Sequence, residues 1–179
     1  MIRINGQDLI RRILEGERYF ASVVLEDNFN LIASPDFPEL QKYLLKQKFW
    51  SEPIIFSGSD FRKLTASGIY LPYLQADHAN LEEANLENAI LFGASFKRAK
   101  LKGAKLQRAN LQVANLEHAN LSRANLSNSN LRGSNLRDSR RSRQERNPGQ
   151  EEPLTPCDSL LKNKPLYNGV FKKRTFVDA

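Results

Sequence analysis

Large apolar residues, mostly leucine, recur at every fifth position through the middle of the chain, from Leu81 to Leu136. Two residues before each of them stands a small residue, which is alanine down to Ala124 and serine at Ser129 and Ser134. A period of five suits neither regular element, because it rotates around an α-helix and alternates between the two faces of a flat strand. The pattern therefore predicts a chain that turns a corner in every repeat and stacks its large side chains inside a solenoid.

The repeated phrase is Ala-Asn-Leu followed by two variable residues, and it runs with little interruption over residues 79–140. It resembles the pentapeptide-repeat family. That resemblance implies an all-β solenoid, a right-handed quadrilateral β-helix with four repeats in each coil. The register continues upstream in a weaker form, and at residues 64–66 and 74–76 the large and small positions are exchanged. Because this exchange conserves core volume, we extend the β-helix to residues 54–140.

Residues 1–53 are predicted to close the amino-terminal end of the β-helix. A short cap helix over residues 7–16 has its apolar side chains on one face and ends at a glycine. Phe20 and Leu25 keep the five-residue step, which predicts a degenerate first coil. A helical insertion follows at residues 39–45, either as an additional cap packed beside the coil or as a separate recognition helix.

The pattern stops after Arg140, and residues 141–179 form a third region. Its first part is rich in arginine, charge and proline, which predicts a flexible and largely disordered tail. A short carboxy-terminal segment, from Leu166 to Phe176, regains apolar residues. We leave open whether this segment folds back on the solenoid or binds a partner.

If four repeats complete a coil, residues twenty apart stack at about 4.8 Å, the spacing of paired strands. The face built on every fourth repeat from Leu71 to Leu131 then carries apolar outward side chains, whereas the other faces carry mainly amides, serine and charge. The candidate partner-binding residues on this face are Tyr70, Pro72, Tyr73, Ile90, Phe92 and Val113. Such a patch indicates a contact surface. The alternatives are that the insertion or the carboxy-terminal segment covers it, or that a misplaced coil boundary dissolves it.

A candidate basic patch lies in the middle of the repeats. It consists of Lys97, Arg98, Lys100, Lys102, Lys105 and Arg108. The map spreads these residues over three faces, with Lys97 between Asp77 and Glu117 and with Lys102 over Glu82. Exposed ion pairs contribute about 0–1 kcal/mol each, so a solvated, partly paired band is the simpler interpretation.

The asparagines that precede the leucines are predicted to be structural. Asparagine tolerates the backbone conformations of corners, and its side chain bonds to nearby main chain. We therefore do not interpret these residues as ligands.

No motif in the sequence supplies catalytic chemistry, so we expect no enzyme. His78 and His118 share a column, but Arg98 stands between them, which is a poor arrangement for a metal. No glycine-rich phosphate loop precedes a helix, and no base lies near the serines of the repeats. A filled leucine core would also leave no cavity for a substrate. We expect neither a cofactor nor a metal.

Composition sets the expected compartment. The 179 residues carry a net charge of +7 and contain a single cysteine, Cys157, which excludes an internal disulfide. No apolar run approaches the roughly 20 residues of a membrane span, and the amino-terminal region lacks the apolar stretch of a signal peptide. These features predict a cytoplasmic protein.

The leading hypothesis is a non-enzymatic protein-protein interaction or scaffolding module that uses the β-helix surface, with a protein partner of unknown identity. One alternative is nucleic-acid binding through the basic repeats and the Arg-rich tail. Another is a DNA-mimic topoisomerase inhibitor, an activity that the resemblance implies for some members. Those members present an acidic rod, whereas the repeats here are net basic. The resemblance also implies a protein of a kind that is numerous in cyanobacteria.

Overall fold

The computed structural model describes residues 1–26 and 28–140. The expected flexible tail and the apolar segment from Leu166 to Phe176 therefore lie outside the described residues. In chain order the named elements are β1 (Ile2–Ile4), α1 (Gly6–Leu14), β2 (Val23–Leu25) and α2 (Phe37–Leu44). From residue 54 onward the chain forms regular coils.

Each coil contains twenty residues and has four sides, as the sequence map predicted. Asp60, Asn80, Lys100, Asn120 and Arg140 pair in parallel register down one side, and the other three sides repeat this spacing. We name the faces by the residues at their centres. Face A is built on Phe56, Ala76, Phe96, Leu116 and Leu136; face B on Phe61, Leu81, Leu101 and Leu121; face C on Ala66, Leu86, Leu106 and Leu126; face D on Leu71, Leu91, Leu111 and Leu131.

Each corner between faces is a four-residue turn. In the turn that begins at Leu81, the N–H of Ala84 donates to the carbonyl oxygen of Leu81 at 3.1 Å. The third residue of the turn, Glu83, has a φ of 60°. In the same turn, the N–H of Glu82 donates to the side-chain oxygen of Asn80, the residue before Leu81, at 3.2 Å.

The asparagines therefore bond to nearby main chain, as predicted. The same bond recurs at Asn80, Asn85, Asn110, Asn115, Asn120, Asn125, Asn130 and Asn135. The expectation that these asparagines adopt the corner conformation is wrong, because none of them has a positive φ. The left-handed residue is the second one after each central residue, where the sequence varies freely.

The amino-terminal end of the coil is covered by β1 and α1. Strand β1 pairs in parallel with β2, so that Ile2 aligns with Val23. No pattern in the sequence predicts this strand. Helix α1 corresponds to the cap helix expected over residues 7–16, and it buries Leu9, Ile10 and Ile13. Its N-cap is Asn5, whose side-chain oxygen accepts from the N–H of Asp8 at 2.7 Å.

An ion pair joins the end of α1 to the first coil. The guanidinium of Arg12 donates to the carboxylate of Glu17 at 2.7 Å and lies over the ring of Phe20. The hydrogen bond from Arg12 lowers the pKa of Glu17, and the same bond raises the pKa of Arg12. Both groups are therefore charged at neutral pH.

The first coil is incomplete, and the insertion occupies its fourth side. Tyr19, Val24 and Asn30 pair in parallel with Ile55, Asp60 and Thr65, and so they supply faces A, B and C. On face D the chain instead makes helix α2, which corresponds to the helix expected over residues 39–45.

A side chain of α2 replaces the missing main-chain contacts on face D. The side-chain nitrogen of Gln41 donates to the carbonyl oxygen of Gly68 at 2.7 Å, and its side-chain oxygen accepts from the N–H of Tyr70 at 3.1 Å. One coil further on, the N–H of Ile90 donates to the carbonyl oxygen of Ile69 at 2.8 Å. The side-chain oxygen of Gln41 thus takes the place of a main-chain carbonyl oxygen in the first coil.

The core is a continuous stack of apolar side chains, but it is not completely filled. A cavity of about 40 Å³ lies beneath the cap, and its lining includes Leu64, Ala66 and Leu74, where the large and small positions are exchanged. The exchange thus conserves volume only approximately, and the expectation of a filled core is wrong at this place. All of the lining side chains are apolar, which leaves the cavity unsuited to water or to a polar substrate.

Candidate interaction surface

The insertion covers the upper part of face D. The ring of Phe49, which is 2% exposed, lies 6.3 Å from the ring of Tyr70. Tyr70 is only half-buried, but Pro72 is buried, so the expectation that Pro72 is exposed on this face is wrong. The segment that follows α2 includes Phe49 and packs on face D. Sequence periodicity alone does not reveal this position.

Below the insertion, two aromatic rings and a glycine pack as a unit. The rings of Tyr73 and Phe92 meet edge to face, with centroids 5.5 Å apart. A Cβ atom placed on Gly93 would approach the ring of Tyr73 to 2.9 Å. Gly93 also has a φ of 66°, so two independent constraints favour glycine there. Both rings remain half-buried.

Among residues 54–140, Val113 is the most exposed large apolar residue, with 54% of its surface accessible. Its φ is 60°, and it is the one β-branched side chain among the described non-glycine residues with positive φ. A left-handed conformation is strained for any residue with a Cβ atom and is especially unusual for a β-branched one. Gly133 occupies the same corner position in the next coil.

The remaining apolar patch on face D therefore consists of Tyr73, Ile90, Phe92 and Val113. From residue 75 to residue 140, every outward position on faces A, B and C holds a polar residue, apart from Gly103. Within that span the apolar patch is confined to one side of the rod. Of the six residues that the sequence grouped here, Tyr70 and Pro72 lie under or beside the insertion.

The basic patch is divided among faces, and two of its members are paired. The ammonium nitrogen of Lys97 lies 3.3 Å from the carboxylate of Glu117, and the guanidinium of Arg108 lies 3.5 Å from the carboxylate of Glu87. Lys102 has no ion pair with a described residue, although the map placed it over Glu82. The members without such a pair are Arg98, Lys100, Lys102 and Lys105, on face B and at its borders with faces A and C.

Among the described residues, no group of three His, Cys, Asp or Glu side chains could hold a metal ion. His118 lies 3.7 Å from a carboxylate oxygen of Glu117 and 3.9 Å from one of Asp138. His78 is two coils away from it, in the column that the map predicted. Neither α1 nor α2, the helices of the described residues, has the length and apolar character that a membrane crossing requires.

The coil geometry agrees with a comparison to protein families. The model of pentapeptide repeats matches residues 75–108 and 99–138, with eight copies. These residues belong to the pentapeptide-repeat family. Proteins of this family form right-handed quadrilateral β-helices, which is the architecture that the resemblance implied. No curated protein matches the chain.

Solved pentapeptide-repeat structures are similar to this chain. The pentapeptide repeat protein Rfr23 from the cyanobacterium Cyanothece 51142 is 29% identical, with a TM-score of 0.56; the match covers 76% of this chain and 95% of that one. HetL from the cyanobacterium Nostoc sp. strain PCC 7120 is also 29% identical, with a TM-score of 0.45 and coverage of 68% and 44%. The similarity to Rfr23 extends beyond the repeats matched by the family model.

Proposed function

We propose that the pentapeptide-repeat coil is a non-enzymatic protein-binding module whose contact surface is the apolar patch on face D. The observation that carries this proposal is Val113, because it combines backbone strain with exposure. Its side chain adds little to the core, while its left-handed backbone opposes folding by about 1–2 kcal/mol. Every other corner of residues 54–140 has glycine, tyrosine or a polar residue at this position, so an exposed valine is unusual for the coil.

The chemistry of the patch indicates the kind of partner. Two aromatic rings, Ile90 and Val113 offer an apolar centre, and the rung of face D that contains Val113 also carries the amides of Asn110 and Gln112. Aromatic residues within an apolar centre and a polar rim are typical of protein interfaces. The patch is small, which favours a transient contact over a permanent one. We therefore expect the partner to present apolar side chains bordered by hydrogen-bonding groups.

Replacing Val113 by asparagine is expected to stabilise the coil by about 1 kcal/mol, because asparagine tolerates the left-handed conformation. The same substitution removes the exposed apolar side chain and is expected to abolish partner binding. Stability is measured by urea unfolding, and binding by affinity capture with crosslinking and mass spectrometry. A gain in stability together with a loss of binding would separate the contact from any effect on folding.

The matched control is His118→Asn, which introduces the same residue at the same corner position of face A, where φ is 57°. This variant is expected to keep every partner that the unaltered chain captures. Capture of the same proteins by both variants would remove face D as the binding surface. Phe92→Ser tests the patch at a second position, with its folding checked by the same unfolding measurement.

Nucleic-acid binding is the weaker candidate, because two of the six residues of the basic patch, Lys97 and Arg108, already lie beside carboxylates. Electrostatic binding of this kind would depend steeply on salt concentration. A DNA-mimic role is weaker still, since the outward residues of the repeats are net basic rather than acidic.

A further inference from the structure

Exposed large apolar side chains are concentrated at one end of the rod. In the described residues they are Met1, Ile2, Tyr19, Ile32, Leu45, Trp50 and Val113. All except Val113 lie within the first fifty residues, in the cap and the first coil. This end therefore exposes more large apolar side chains than the rest of the described rod.

Two of these exposed side chains, Leu45 and Trp50, are held in place by buried neighbours. Leu45 is 63% exposed and directly follows Leu44, which is completely buried. Trp50 is 67% exposed and directly follows Phe49, which packs in the core and contacts Tyr70. In each case the buried side chain just before it fixes the backbone. Leu45 and Trp50 are therefore exposed although the segment that carries them is well packed.

Lysines accompany these side chains. Lys42, Lys46 and Lys48 are all exposed, and none of them forms an ion pair with another described residue. The acidic residues on either side are Glu39, in the first turn of α2, and Glu52. The stretch from residue 40 to residue 50 thus combines three cations with an exposed leucine and tryptophan and contains no carboxylate.

Hydrogen bonds tie this stretch to Arg18, whose neighbour in the chain, Tyr19, is 66% exposed. The guanidinium of Arg18 donates to the side-chain oxygen of Gln47 at 2.7 Å and to the hydroxyl of Tyr43 at 2.9 Å. The backbone of Arg18 in turn accepts from the N–H of Ile55 at 2.7 Å. Tyr19 and the end of α2 are therefore parts of one rigid cap.

We infer that this cap surface, defined by Tyr19, Leu45, Trp50 and the three lysines, binds peripherally to an anionic lipid bilayer. Tryptophan and tyrosine favour the interface between lipid headgroups and acyl chains, and lysines near it attract anionic headgroups. Leu45 and Trp50 are separated from each other by lysines in the sequence. Such an arrangement favours contact with a deformable bilayer over insertion into one preformed pocket of a protein.

The experiment uses the intrinsic fluorescence of the full chain, because Trp50 is its single tryptophan. Vesicles of phosphatidylcholine alone are compared with vesicles of an equimolar mixture of phosphatidylcholine and phosphatidylglycerol. With the anionic vesicles we expect a blue shift of the emission, co-sedimentation, and weakening of both by salt. No blue shift and no co-sedimentation at low salt would overturn the inference. Equal binding to both kinds of vesicle would overturn the anionic specificity.

Two sets of variants separate the roles of the side chains. Replacing Lys42, Lys46 and Lys48 together by glutamine is expected to weaken binding to anionic vesicles about 100-fold. Leu45→Ser is expected to weaken binding while leaving unfolding unchanged, because this side chain is exposed. Val113→Asn on face D is the control and is expected to bind vesicles like the unaltered chain. If the lysine variant binds as tightly as the unaltered chain, the proposed surface is wrong.

Discussion

Replacing Leu106 by alanine is expected to destabilise the protein by about 3–4 kcal/mol, in the range measured for buried leucines. Leu106 is 1% exposed and stacks between Leu86 and Leu126 in the column of face C. The coils above and below are held by main-chain hydrogen bonds on all four sides, so they cannot collapse into the space that alanine leaves. Urea unfolding, followed by circular dichroism, measures the loss.

The companion change, Ala104→Leu, is expected to destabilise by about 1–3 kcal/mol through overpacking. The double variant is expected to be more stable than Leu106→Ala alone. Leu64 and Ala66 have this arrangement in the same column, two coils above. Their coil also borders the 40 Å³ cavity, which predicts a residual loss of about 1 kcal/mol in the double variant.

The two single variants and the double variant form a cycle that tests the geometry of the core. Since Ala104 and Leu106 contribute to one layer, their effects are expected to be strongly non-additive. If the double variant instead loses the sum of the two single losses, the two positions do not share one volume. A matched control on face D, Leu111→Ala with Ala109→Leu, is expected to behave in the same way, because the coils are equivalent.

The repeats could be predicted from the sequence because each carries its own local signal. A leucine that recurs every five residues specifies both the interior position and the twenty-residue coil, and the structure places Leu86, Leu106 and Leu126 in one column. The left-handed corner could not be located in this way. Its residue is Glu83 in one repeat and Val113 in another, so no residue type marks it.

The cap could be predicted only in outline. The helical patterns in residues 1–53 were visible, but the chain there is not periodic, and its contacts with the coil depend on tertiary packing. The burial of Pro72, the strand β1 and the amide contacts of Gln41 therefore had no signal in the sequence. The apolar patch was partly predictable, because alignment of residues twenty apart brought Phe92 and Val113 to one face, whereas the strain at Val113 required backbone angles.

Replacing Gln41 by alanine is expected to destabilise the protein by about 2–4 kcal/mol, although the side chain is only half-buried. The substitution leaves the N–H of Tyr70 and the carbonyl oxygen of Gly68 without the partners that Gln41 provides. A buried backbone group that loses its partner destabilises by about 1–3 kcal/mol. The loss is measured by urea unfolding, and hydrogen exchange at the Tyr70 amide locates it.

Two further variants show whether the amide of Gln41 completes the first coil. Gln41→Glu keeps an acceptor for the N–H of Tyr70 but, as a carboxylate, cannot donate to Gly68, so we expect an intermediate loss. Gln112→Ala removes a partly buried glutamine of face D whose side chain has no hydrogen bond to a described residue, and we expect little change. Unaltered exchange of the Tyr70 amide in Gln41→Ala would contradict this role. Faster hydrogen exchange at the Tyr70 amide, with the Ile90 amide one coil below still protected, would show that the Gln41 side chain replaces a missing main-chain hydrogen bond of the first coil.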